Sequence, residues 1–137
     1  MKGLLIKSIA LASTSMMAAS LSPAHAQCIA PATINGIWKA NDGGTYRLRA
    51  VGTTIWWVGM SADNGKSWTH AFKGTRSGNL INGSWADVRG NIGGAGTLKL
   101  QISGTTFMKK LSGTGSGFGG SSWSRPCNDV QGNPVQE

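Results

Sequence analysis

The sequence predicts an all-β protein, a single eight-stranded antiparallel up-and-down barrel. Three observations lead there. Stretches such as "TYRLRAV" at 45–51 and "TLKLQIS" at 97–103 alternate polar and apolar residues with period two. Gly-Thr pairs and Asn/Asp-Gly clusters punctuate the chain, and no segment holds ten residues of helical periodicity. The only two cysteines, Cys28 and Cys127, sit near opposite ends. Their pairing would make the first and last strands neighbours.

In order, strands are expected at about 34–40, 44–51, 54–61, 67–74, 79–88, 96–103, 106–112 and 120–125. The first opens on "INGIW" and the fifth on "INGSW". The echo continues: Gly44-Thr45-Tyr46-Arg47-Leu48 answers Gly96-Thr97-Leu98-Lys99-Leu100, Gly52-Thr53-Thr54-Ile55 answers Gly104-Thr105-Thr106-Phe107, and Gly65-Lys66-Ser67-Trp68 answers Gly120-Ser121-Ser122-Trp123. Three blocks in one order read as two four-strand repeats, about 34–78 and 79–125. Gly at the first central position suits a two-residue type II′ hairpin. Sequential antiparallel strands with bridged ends close most simply into a barrel, because closure removes the exposed edges; a two-sheet sandwich is the alternative.

Residues 1–26 read as a secretory leader: Lys2 and Lys7, a short apolar run, and Ala24-His25-Ala26 with cleavage expected after Ala26. The mature domain is then 27–137, and the expected location is periplasmic or secreted. Removing Lys2 and Lys7 from the thirteen Lys and Arg leaves eleven against five Asp and Glu, a balance that favours anionic partners. In an oxidising compartment Cys28 and Cys127 should pair. Closing a loop of about 100 residues contributes about 4–5 kcal/mol in the chain-entropy picture.

Gly36-Ile37-Trp38 at the start of the first strand is similar to the Gly-x-Trp opening of the calycins, the lipocalins, avidins and their relatives. More closely, "INGIWKANDGGTYRL" resembles the first hairpin of avidin-type proteins in the spacing of Ile, Gly, Trp, a later Gly and an aromatic. The resemblance covers some fifteen residues. It implies a calycin-like secreted barrel, with Gly36 and Trp38 in structural roles and Arg125 as the family's cation stacked on that tryptophan. At the positions that hold the biotin ureido group in avidins this chain has Ala40 and Gly44, which supply no such hydrogen bonds.

A two-residue turn at Gly52-Thr53 fixes the faces of the second and third strands. Tyr46, Leu48, Ala50, Ile55 and Trp57 share one face and should point inward; Arg47, Arg49 and Trp56 point outward. The same rule for the second half puts Leu98, Leu100, Ile102 and Phe107 inside and sets Lys109 opposite Leu100, also inside. If Trp38 and Trp85 both point inward, so does Asp87; if Trp68 does, so does His70. The expected ligand-binding residues are therefore Tyr46, Trp57, Trp68, His70, Trp85, Asp87 and Lys109 in an aromatic-lined interior, and Arg49 with Trp56 as an external platform for a sugar or aromatic ring. The alternatives are a filled barrel with an internal Asp87–Lys109 pair, and a Trp56 that merely shields the wall beneath a stacked Arg49.

Catalytic chemistry is poorly supplied. The mature chain has one histidine, His70, and one glutamate, Glu137. No nucleophile elbow, metal-ligand cluster or phosphate loop is present, and Asp42 and Asp63 stand in turn contexts. No enzyme activity, metal or cofactor is expected. The expected function is a secreted, non-enzymatic binding protein for a small molecule or glycan, anionic ones included, with no nucleic acid and no membrane span. The alternative is a protein-directed factor, such as an inhibitor of an exported hydrolase or a factor acting on a host surface. Its plugs would be the loops 61–67 ("SADNGKS") and 88–94 ("VRGNIGG"). A third class, an enzyme, would centre on Asp87, Lys109 and His70.

Overall fold

A computed structural model describes residues 28–90 and 93–135. The leader expected at 1–26 lies outside these residues, as do two positions of the 88–94 loop. The chain forms β1 (Gly36–Ala40), β2 (Thr45–Val51), β3 (Thr54–Met60), β4 (Thr69–Ser77), β5 (Leu80–Asp87), β6 (Ala95–Ser103), β7 (Phe107–Gly113) and β8 (Ser122–Ser124). Every strand pairs antiparallel with its sequence neighbours, and β1 pairs with β8, so the sheet closes into one barrel in the order β1 to β8. Among the described residues no helix is long and apolar enough to cross a membrane.

Register follows the alternation in the first half. Val51 faces Thr54, Leu48 faces Trp57 and Tyr46 faces Gly59, the pairing expected from a two-residue turn at 52–53. Gly52 has φ +59° while Thr53 keeps a negative φ, as a type II′ turn requires; Gly78 does the same in the β4–β5 turn. Opposite Tyr46, the Gly59 position has to be glycine because a Cβ there would run into the tyrosine ring. The inward residues make the core: Trp38, Tyr46, Leu48, Ile55, Trp57, Phe72, Ile81, Trp85, Leu98, Leu100, Ile102, Met108 and Trp123 are all buried.

The second half corrects one expectation. The β6–β7 turn holds three residues, 104–106, because Ser103 pairs with Phe107. Everything after it shifts by one. Met108 is fully buried and Phe107 is exposed, so Phe107 is not a core residue. Lys109 pairs with Gln101 and points outward, not opposite Leu100. Leu100 instead faces Lys110, with a bulge following on β7. The physical reason is Arg125. The longer turn presents the Thr105 carbonyl to Arg125 Nε (2.6 Å) and the Thr106 carbonyl to the Arg125 backbone N–H (3.0 Å).

Arg125 closes this end of the barrel. Its guanidinium lies 5.0 Å from the Trp38 ring centre and also donates to the carbonyls of Asn35 (2.6 Å) and Thr33. Burial lowers its pKa from the ordinary guanidinium range, but a guanidinium stays charged at any ordinary pH. Trp38 Nε1 donates to the Ile34 carbonyl at 2.9 Å. Beside this plug, Cys28 and Cys127 are disulfide-bonded with Cα atoms 5.3 Å apart, and Ile29 bridges Asn128. An intramolecular disulfide fits an oxidising, exported location.

Candidate functional site

Two regions bring the expected residues together: the barrel mouth and a groove on the outer wall. The mouth lies opposite the Arg125 plug, where the longer connections 41–44, 61–68, 88–94 and 114–121 gather. Asp42 organises the first of these. Its Oδ1 accepts the Gly44 N–H (2.8 Å) and its Oδ2 accepts the Tyr46 hydroxyl (2.6 Å). Burial, reinforced by that carboxylate, raises the Tyr46 phenol well above its ordinary 10.0, so it stays a hydrogen-bond donor. Trp68 lies over Gly44, where a Cβ would collide with the indole.

His70 sits between two rings, stacked on Trp68 (centroids 4.6 Å apart, planes at 25°) and on Phe118 (4.9 Å, 22°), with Trp85 at 5.0 Å. Burial lowers its pKa from 6.5, against weaker opposite pulls from Asp87 and Asp42, so the imidazole is neutral at pH 7. Below it, Trp57 stacks on Phe72 at 4.1 Å, and Trp123 packs against both Tyr46 (5.7 Å) and Trp57 (5.5 Å). These rings fill the upper interior. Three buried polar atoms in the mesh have no hydrogen-bond partner: Trp57 Nε1, Trp123 Nε1 and His70 Nδ1. By contrast Trp85 Nε1 donates to the Thr114 carbonyl at 3.2 Å.

The expected interior set is only partly assembled. Tyr46, Trp57, Trp68, His70 and Trp85 are in the mesh or at its mouth. Asp87 is half-buried, and its Oδ1 is occupied by the backbone N–H of Arg89 (3.0 Å), so it braces a turn as Asp42 does. Lys109 lies on the outer wall, so the interior Asp87–Lys109 pair does not form and Lys109 does not join His70 and Asp87. The inward ammonium belongs to Lys110, whose Nζ rests 5.6 Å from the centre of the Phe118 ring. Phe118 is not among the residues expected in the interior, and Trp123 is expected only as the counterpart of Trp68 in the eighth strand, not as a member of the site. The Gly-rich context "GSGFGG" reads as a bare connection, and only the lone aromatic inside it signals a side chain turned inward.

The loop 61–67 is braced from within. Asp63 accepts hydrogen bonds from the hydroxyl of Ser61 and from both the hydroxyl (2.5 Å) and backbone N–H (3.1 Å) of Ser67, which hold its carboxyl well below the ordinary 3.8. Among the described residues no three His, Cys, Asp or Glu side chains gather as a metal site would need.

On the outer wall, a groove of about 510 Å³ crosses β2 to β5. Its floor is low because Val58, Ala71 and Ala86 follow one another across β3, β4 and β5, ending in small side chains. Trp56 stands 47% exposed beside it, with Arg49 paired on one side and Lys73 on the other. Lys73, not Arg49, caps the indole, with Nζ 5.0 Å from the ring centre. Arg47 completes a rim of three cations, and no acidic residue lines the groove. Comparisons with protein-family models, curated proteins and solved structures find no match to this chain.

Proposed function

We propose that the protein is a non-enzymatic binding module that holds an anionic sugar in the Trp56 groove. One observation carries the reading: an exposed indole lies between Arg49 and Lys73 over a floor of small residues. A sugar ring offers C–H groups to an aromatic face and hydroxyls to its surroundings, while a carboxylate or sulfate finds the cation rim by charge. The basic balance of the chain raises the local concentration of such ligands. A leader at 1–26 and a calycin-like origin belong to the same reading, the latter supported by the Trp38–Arg125 stack.

Uronate disaccharides titrated into the protein should shift and quench tryptophan emission, since Trp56 is the most exposed indole. Trp56→Ala should lower affinity by about tenfold or more while leaving the melting temperature within a few degrees. An acidic and neutral glycan series that moves neither emission nor melting temperature would falsify the groove reading.

A second reading rests on the three unpartnered nitrogens. The Trp57 and Trp123 Nε1–H groups are buried donors without acceptors, each costing about 1–3 kcal/mol, so a small planar acceptor that displaced Phe118 from the mouth would satisfy them. It predicts ligands that bind more tightly when Phe118 is removed.

A further inference from the structure

We infer that the Trp56 groove is one end of a track for an extended acidic polysaccharide running across the strands. This rests on the groove reading above and adds the linear form and length of the ligand. The supporting feature is a single cross-strand row. Arg49 pairs with Trp56, Trp56 with Lys73, Lys73 with Ser84, and Ser84 with Thr97. All five are on the outer wall, because their neighbours along each strand are the inward ones. The row continues through a side-chain hydrogen bond: the Thr97 and Thr114 hydroxyls are 2.9 Å apart. At the usual spacing between strands, six such positions trace about 24 Å of contour around the curved barrel wall.

A second depression, about 460 Å³, begins where the first stops. The two share Ser84, and the second is lined by Asn82, Thr97, Lys99 and Ser112 over a floor kept thin by Gly83 and Gly113. The chemistry changes along the row. The β2–β4 end offers an aromatic face and three cations; the β5–β7 part offers hydroxyls and an amide, with one further cation, Lys99 on β6, set between Asn82 and Ser112 in the adjacent row. A chain of sugar rings with carboxylates at intervals matches that arrangement: one ring on Trp56, hydroxyls along Ser84 and Thr97, and carboxylates at the β2–β4 cations and at Lys99 beside Thr97.

Single-stranded nucleic acid carries the same charge but makes a poorer match. Nonspecific strand binding uses an aromatic platform for successive bases, and of the aromatic residues lining the two depressions only Trp56 is exposed.

The test is a length series of uronic acid oligomers, dimer to decamer, titrated by calorimetry into wild type, Trp56→Ala and Lys99→Gln, with a single-stranded oligonucleotide as rival. Affinity should rise about tenfold or more between dimer and about hexamer and then level, and Lys99→Gln should pull long-chain affinity toward that of the dimer. If dimer and decamer bind equally and Lys99→Gln matches wild type, the track is overturned and the groove stands. Tighter binding of the oligonucleotide than of any uronate overturns the glycan assignment. Failure of every uronate, dimer included, overturns the groove and the track together.

Discussion

The two ends of the barrel are built from the same residue types to opposite effect. At the plugged end, each polar group described has a partner: Trp38 Nε1 reaches Ile34, Asn35 Oδ1 accepts the Ala50 N–H at 2.7 Å, Thr105 Oγ1 donates to Pro31, and Arg125 binds three carbonyls. Its turns are two or three residues long. At the mouth, a neutral histidine lies between aromatic faces, three nitrogens go without partners, and the connections are longer and rich in glycine. Satisfied hydrogen bonds from a half-buried cation fix one geometry. Stacked rings tolerate sliding and replacement, because dispersion has little directional demand. The plugged end therefore holds the fold, and the mouth is where it can give way.

The sharpest way to break this contrast is Arg125→Ala. It removes a cation from the Trp38 face and leaves the Thr33, Asn35 and Thr105 carbonyls without their donor, so a loss of about 2–4 kcal/mol is expected in chemical denaturation. Arg125→Lys should recover only part of it, since an ammonium lacks the fork that meets several carbonyls at once. A loss below that of a mouth substitution would invert the comparison.

The next effect is smaller and depends on pH. His70 has a folded pKa below its ordinary 6.5, so the unfolded chain takes up the proton first as pH falls through that value. Stability should then rise with pH across this window and drop on acidification from 7 to 5. In His70→Phe, which keeps a ring between Trp68 and Phe118, that part of the slope should vanish. Equal slopes for both proteins in melting-temperature profiles would mean that His70 titrates normally and is not held neutral by the mouth.

Phe118→Ala should have the smallest effect on stability. The ring is only half-buried, so the expected loss is about 1–2 kcal/mol, below that of a fully buried phenylalanine. Its larger consequence should be access: a neutral quencher such as acrylamide should reach the interior tryptophans faster than in wild type. Unchanged quenching would show that Phe118 does not guard the mouth.

Much of this architecture was legible because it follows local rules. Period-two alternation placed all eight strands, and the Gly52 turn fixed which faces of β2 and β3 point in. The partnership of Trp38 with Arg125 followed from a family resemblance in the opening Gly-x-Trp. What stayed hidden was long-range. "GTT" stands at 52–54 and again at 104–106, yet the first copy gives a two-residue turn and the second a three-residue one. The difference comes from a side chain twenty residues on, Arg125, which draws on the carbonyls of the second turn. The matching tryptophans diverge for a similar reason. Trp38 and Trp85 are both buried, but one donates four residues back and the other to Thr114 in a distant connection. On the outer wall, Trp56 with Arg49 could be read from register, whereas the small-residue floor and the capping by Lys73 needed β4 and β5 set alongside.

The pairing of β1 with β8, bound beside the Cys28–Cys127 bridge, has one further consequence. A ring of strands in which every neighbouring pair but β1–β8 is consecutive in sequence, and in which that pair brings the two ends together, has no privileged starting point. Joining the ends near the bridge by a short peptide and reopening the chain at the Gly78-Asn79 turn would give a circular permutant with the same strand order around the barrel. The groove and its cross-strand row would be carried over unbroken, since that cut lies at the opposite end of β4 and β5 from Ala71 and Ala86.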